Sequence, residues 1–138
     1  MGITRARIFL IVGLGILSCS TPILAQESDT EVRHRALEVL WRGVEDFRAG
    51  RLKDAIEFFI EAKELDPTLT NARLYLGTAY ADLYVAGGTS AENIEYARRA
   101  EVEFRAVLFH EQSDISAIDG LGGILYHAAE KPFDARME

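Results

Sequence analysis

The 138-residue chain holds a single cysteine, Cys19, set inside an apolar opening stretch, so neither an intramolecular disulfide nor a cysteine-based metal site can form. Packing alone must hold the fold. No uninterrupted apolar run approaches the ~20 residues that a membrane-spanning helix needs; the run Ile8 to Leu17 is about half that. Basic residues are also few, 15 against 22 acidic, for a formal net charge of −7. A surface this acidic repels phosphate backbones and anionic head groups, which disfavours nucleic-acid binding and electrostatic membrane docking. A basic or neutral partner fits better.

Catalytic and metal-binding patterns are scarce as well. His34, His110 and His127 lie far apart and lack the spacing of a metal-ligand pair. Asp119-Gly120-Leu121-Gly122-Gly123 has the glycines of a phosphate loop, but no strand precedes it. Glu101 with Glu103, and Glu61 with Glu64, stand beside Arg98, Arg99, Arg105 and Lys63, and read as solvated helix faces rather than general acid–base pairs. Ser116 has no nearby histidine or acid pattern of a nucleophile. The expectation is a non-enzyme with no metal, cofactor or small-molecule substrate.

What is present begins with a leader. Arg5 and Arg7 precede the apolar run Ile8 to Leu17, followed by small and polar residues through Pro22 and then Ile23-Leu24-Ala25-Gln26. This is the three-part layout of a secretory signal, with cleavage expected after Ala25. The resulting 113 residues carry 13 basic and 22 acidic side chains, a net charge of −9. Ile16-Leu17-Ser18-Cys19 also resembles a bacterial lipobox, which gives lipidation of Cys19 as the alternative and an uncleaved anchor as a third outcome. The leader thus implies an exported protein, periplasmic or secreted, or an outer-membrane lipoprotein.

After an acidic lead-in, 26–35, the chain has helical periodicity with turn signals at intervals: Gly50, Asp66-Pro67, Gly87-Gly88 and Lys131-Pro132. Five helices are expected, at about 31–49, 52–65, 69–85, 90–112 and 114–129, with a sixth starting near Pro132. Each has an apolar stripe, such as Ala55, Ile56, Phe59 and Ala62. Thr89 followed by Glu92 matches a capping box for the fourth.

Self-similarity carries the fold assignment. Gly43, Ala55, Phe59, Ala62 and Pro67 form one set; Leu76-Gly77-x-x-Tyr80, Ala100, Phe104 and Val107 form a second; Leu121-Gly122 opens a third. Gly43 to Gly77 is 34 residues. Ala55 to Ala100, Phe59 to Phe104 and Gly77 to Gly122 are each 45 apart, so a single insertion of eleven residues between Gly77 and Ala100 accounts for all three. The pattern resembles the tetratricopeptide (TPR) family: the A-x3-F of a second helix, the L-G-x-x-Y of a first helix, and the period of 34.

The resemblance spans about 36–138 and implies an all-α fold of antiparallel helix hairpins stacked as a short right-handed solenoid of about two and a half repeats. Repeat 1 covers 36–68, an extended repeat 2 covers 69–113 and an incomplete repeat 3 covers 114–138. Eleven residues is near three helical turns, so the insertion is expected at the ends of both helices of repeat 2, with a tip at Val85 to Thr89. Arg42 and Asp46 stand where the family buries Leu and Tyr, while Leu40, Val44 and Phe47 carry the stripe instead. Repeat 3 reaches Phe133-Asp134-Ala135-Arg136 without a second helix. Two expectations follow: the chain is the N-terminal part of a longer repeat protein, or its last face self-associates.

The resemblance also implies a function: a non-catalytic protein–protein interaction scaffold. Carried onto this sequence, the family's groove falls on Leu40, Val44, Phe47 and Arg48, then Asn71, Leu74, Tyr75, Thr78 and Asp82, then Ser116, Asp119, Tyr126 and His127. Only Asn71 and Arg48 are candidates for clamping a C-terminal carboxylate, so the mixed aromatic and acidic lining suits a peptide with basic groups. Tyr75 and Tyr126 also read as inter-helix packing residues. A lipid-anchored structural component of an envelope assembly and an accessory domain of a longer envelope enzyme are the alternatives.

Overall fold

The structure, a computed structural model, describes the backbone of residues 23–129 and the side chains of residues 29–127. The leader with Cys19, and Phe133 to Arg136, lie outside the described residues. Five helices follow one another: α1 (Ile23–Arg48), α2 (Leu52–Leu65), α3 (Thr70–Leu83), α4 (Ala91–His110) and α5 (Ile115–Ala129). α1 packs chiefly on α2, α3 on α4, α2 on α3 and α4 on α5, while α3 also touches α1 and α5. The result is an all-helical stack of antiparallel hairpins.

Four of the five helices lie within two residues of the sequence expectation. α1 does not: it begins at Ile23, so the stretch 26–35 is part of a 26-residue helix rather than a lead-in. Between Ile23 and Gly43 there is no proline or glycine, and polar charged residues of good helix propensity extend the packed segment outward.

Local chemistry sets the turns. α1 ends at Gly50, whose φ of 76° places it in the left-handed region. The Gly50 amide donates to the Phe47 carbonyl at 3.0 Å and the Arg51 amide to Asp46 at 2.9 Å, the paired bonds of a Schellman stop. Asp66, 8% exposed, ends the first hairpin: its carboxylate accepts from the Thr68 amide at 2.9 Å and hydroxyl at 2.6 Å. Asp114 opens α5 by accepting from the Ala117 amide at 2.8 Å. α4 starts one residue later than the expected capping box. Its cap is Ser90, which accepts from the Asn93 amide at 3.1 Å, and Thr89 is exposed in the preceding loop.

The core is organised by two phenylalanines. Phe59 on α2 and Phe104 on α4 are 0% and 1% exposed. A methyl group added at Gly43 on α1 would fall 2.6 Å from the Phe59 ring, and one at Gly77 on α3 would fall 2.9 Å from the Phe104 ring. Hydrogen in place of a side chain is what lets each hairpin close over its ring. The other side of each ring meets the following hairpin: Tyr75 of α3 stacks on Phe59 with centroids 5.4 Å apart, and Gly120 of α5 abuts Phe104, its added methyl group 2.4 Å away. Tyr75 and Gly120 are 45 residues apart, so the two junctions are equivalent. Ala55, Ala62, Leu76, Tyr80, Ala100 and Val107 are buried around them. Pro67 is exposed in the turn after α2.

Gly122 is a correction to the expected packing set. No atom lies within 4 Å of a methyl group added there among the described residues, whereas Gly43 and Gly77 each face the second helix of their hairpin. Gly120 supplies the small residue against Phe104 instead, and Leu121 is half-buried against the core.

The insertion is also placed differently. Gly43 precedes the end of α1 by five residues and Gly77 precedes the end of α3 by six; the hairpin loops hold three and seven residues; Ala55 and Ala100 stand three and nine residues into α2 and α4. Differences of one, four and six account for the eleven. α4 therefore carries most of the extension and α3 almost none, with the loop at 84–90 folded against the start of α4.

Phe104→Ala is expected to cost about 3–5 kcal/mol by removing a fully buried ring. Gly77→Ala should cost about 1–3 kcal/mol through overpacking against that ring, while Gly123→Ala, with open space around it among the described residues, should leave stability level or raise it. Chemical denaturation of the three variants checks the order; equal effects at Gly77 and Gly123 would contradict the packing account.

Candidate partner-binding surface

The first helices of the hairpins, α1, α3 and α5, stand side by side and form one face. On α3 the outward stripe is Asn71 and Asp82, exposed, with Leu74, Tyr75 and Thr78 half-buried. The Thr78 hydroxyl is turned back to donate to the Leu74 carbonyl at 2.9 Å. Forty-five residues later, α5 repeats the stripe with Ser116, Asp119, Gly123 and His127, all exposed. The helical period places these side chains on one face, and the contact between α3 and α5 makes the two stripes neighbours.

α1 contributes less than expected. Leu40 and Val44 are 5% and 2% exposed and belong to the core, so they are not available to a partner. Phe47 is half-buried in a ring cluster, 6.4 Å from both Phe59 and Tyr75. Arg48 is exposed. Tyr75 both packs between helices and retains some exposure, so it borders the surface rather than standing free in it. Tyr126 is 63% exposed and meets the His127 ring edge-on at 5.4 Å.

The two unusual residues of α1 have polar solutions. Arg42 spreads its guanidinium over the Phe58 ring, 4.6 Å from the centroid, and Asp46 pairs with Arg51 across the turn.

Glu103 overturns the reading of its acidic neighbours as uniformly solvated. It is 7% exposed and holds Lys63 of α2 at 2.6 Å and Arg73 of α3 at 3.2 Å. A buried carboxylate needs such partners, and here they come from α2 and α3. Spacing alone did not mark it out from Glu101, which pairs with Arg105 at the surface. Beside this triad lies a cleft of about 340 Å³ between α2, α3 and α4, floored by Leu76 and Tyr80. Its cations are already engaged: Lys63 with Glu103, and Arg98 and Arg99 with Glu95. These two guanidiniums donate to Glu95 and hold it well below the ordinary glutamate range, at about 2.

Asn93 is a second residue that sequence reasoning missed. It is 7% exposed, and its side chain accepts from the Val85 amide at 2.7 Å and donates to the carbonyls of Val85 and Gly88 at 2.8 and 2.9 Å. It thereby ties the loop to the start of α4. Nothing in a lone asparagine signals this before the loop is folded.

Asp119 to Gly123 lie within α5, where helical hydrogen bonding occupies the backbone amides that a phosphate loop would offer. Among the described residues no group of three metal-ligating side chains comes together, and no helix is long and apolar enough to cross a membrane. No protein-family model matches the chain, and no curated protein or solved structure matches it.

Glu103→Gln should destabilise the fold by about 3 kcal/mol, because Lys63 and Arg73 lose a buried counter-charge. The accompanying double-mutant cycle with Arg73→Met should give a coupling above about 0.5 kcal/mol; a coupling near zero would show that the triad contributes nothing. The Glu95 pairing is present above the ordinary glutamate range and is lost as pH falls toward about 2. Carboxylate NMR titration should therefore show Glu95 titrating later, on acidification, than an unpaired glutamate.

Proposed function

We propose that the chain is a non-catalytic protein-interaction module of the TPR type, exported from a bacterial cytoplasm, whose first-helix face takes a peptide or protein segment carrying basic groups. One observation supports this most: the exposed Asn71 and Asp82 of α3 recur at the repeat spacing as the exposed Ser116 and His127 of α5, with the exposed Asp119 between the latter two. They contain two carboxylates and no lysine or arginine. Tyr75 and Phe47 add aromatic edge beside them, and a segment lying across the row would meet both stripes. The cations near the other face are bound within the fold, which leaves the α3 and α5 stripes with the clearer charge preference.

The leader supports export, with processing after Ala25 as the principal reading and a lipid-anchored form through Cys19 as the second, favoured by Ile16-Leu17-Ser18-Cys19. Fatty-acid labelling of wild type against Cys19→Ala separates them: label that depends on Cys19 supports the anchor.

Peptides selected on the folded protein from a random display library should carry net positive charge. Asp82→Lys together with Asp119→Lys should weaken them at least ten-fold, a change of about 1.4 kcal/mol. Glu57→Lys on the exposed side of α2 should change affinity less than two-fold. Selected peptides of neutral or acidic character, or binding indifferent to the double variant, would overturn the proposal.

A further inference from the structure

α5 is apolar on both sides. Its inward side places Ala117 and Ile124 in the core, 0% and 4% exposed. Its outward side leaves Ile115, Ile118, Leu125 and Tyr126 at 73%, 47%, 40% and 63% exposure. Asp119 is the one Asp, Glu, Lys or Arg in the helix. A helix with an apolar stripe on each of two sides is suited to burial on both. These side chains expose roughly 500 Å², the upper range for one patch on a monomer.

The internal repeat shows how such a face is used. On α3 the corresponding positions, 45 residues earlier, are Arg73, Gly77 and Tyr80, and α4 covers them: Glu103 pairs with Arg73, Phe104 sits on Gly77, and Arg99 donates to the Tyr80 hydroxyl at 3.2 Å. On α5 these become Ile118, Gly122 and Leu125. A polar helix like α4 would leave its charges unpaired there, so the face calls for an apolar helix that can approach closely at a glycine.

We propose that this helix is α5 of a second copy, packed antiparallel about a two-fold axis beside Gly122. The spacing of the stripe supplies the self-complementarity that a two-fold contact demands. Ile115 and Ile118 lie seven and four residues before Gly122; Leu125 and Tyr126 lie three and four after it. An antiparallel pair sets Ile118 of one copy opposite Tyr126 of the other, and brings the two Gly122 positions together. The two Asp119 side chains then lie about 9 Å apart along the axis, six residues of helix. Each stands within a turn of His127 of the other copy, so like charges do not meet. The two patches together bury about 1,000 Å², the lower bound for a specific interface. The dimer uses the outward side of α5 and does not rest on the first-helix face binding a peptide.

Disulfide trapping in the full chain tests it, with Cys19→Ser removing the native thiol. Gly122→Cys has open space in the monomer among the described residues, and in the dimer its two copies meet at the axis. Ile115→Cys is the geometric control: its two copies lie about 21 Å apart along antiparallel helices, beyond the reach of a disulfide. Mild oxidation is expected to give a covalent dimer with Gly122→Cys and at least five-fold less with Ile115→Cys. Sedimentation equilibrium should show the Cys19→Ser parent as a dimer and Ile118→Glu as a monomer of unchanged helix content by circular dichroism. Equal trapping at both positions, no trapping at Gly122→Cys, a monomeric parent, or a dimer that persists in Ile118→Glu would each overturn the proposal.

Discussion

The stack depends on one contact, a phenylalanine ring of the second helix of each hairpin pressed onto a glycine of the first. Phe59 on Gly43 and Phe104 on Gly77 bring the helix backbones close, and the far side of each ring is then presented to the next hairpin. Tyr75 and Gly120 receive it. The ring therefore belongs to two interfaces at once. A side chain larger than hydrogen at the glycine would separate the hairpin and also move the surface on which the following helix rests, which links the stability of each repeat to that of its neighbour.

From this contact follow the positions of the first helices, and from these the exposed stripes. Leu40 and Val44 of α1 are drawn into the core, while Leu74 and Thr78 of α3 stay half-buried. The candidate binding face thus lies mainly on α3 and α5. Charge is distributed to match. The cations near the cleft between α2, α3 and α4 are held by Glu103 and Glu95, and the stripes of α3 and α5 keep Asp82 and Asp119 with no lysine or arginine among them.

Much of this was legible in the sequence because its signals are periodic. The spacings of 34 and 45, the paired A-x3-F words and the punctuation at Gly50, Asp66 and Gly87 located the hairpins to within two residues for α2 to α5. What was not legible depends on three-dimensional neighbours. Glu103 and Glu101 look alike in a charge run, and only the approach of α2 and α3 makes one a buried tie and the other a surface pair. Asn93 gains its role from a loop that folds back onto it. Among the described residues Gly122 shares the spacing of Gly77 without a ring to receive, and Gly120 takes the contact because the next helix approaches Phe104 from the other side. The start of α1 was missed because helix propensity continues past the packed region, where hydrophobic periodicity gives no signal.

The central claim, that each ring is seated on glycine within its hairpin and on the next helix beyond it, is tested most directly by proton NMR. The account predicts ring-current shifts of the α-protons of Gly43, Gly77 and Gly120 that disappear at Gly43 in Phe59→Leu and at Gly77 and Gly120 in Phe104→Leu, with Gly123 unshifted throughout. Ordinary helical shifts at Gly77 and Gly120, unchanged when Phe104 is replaced, would contradict it.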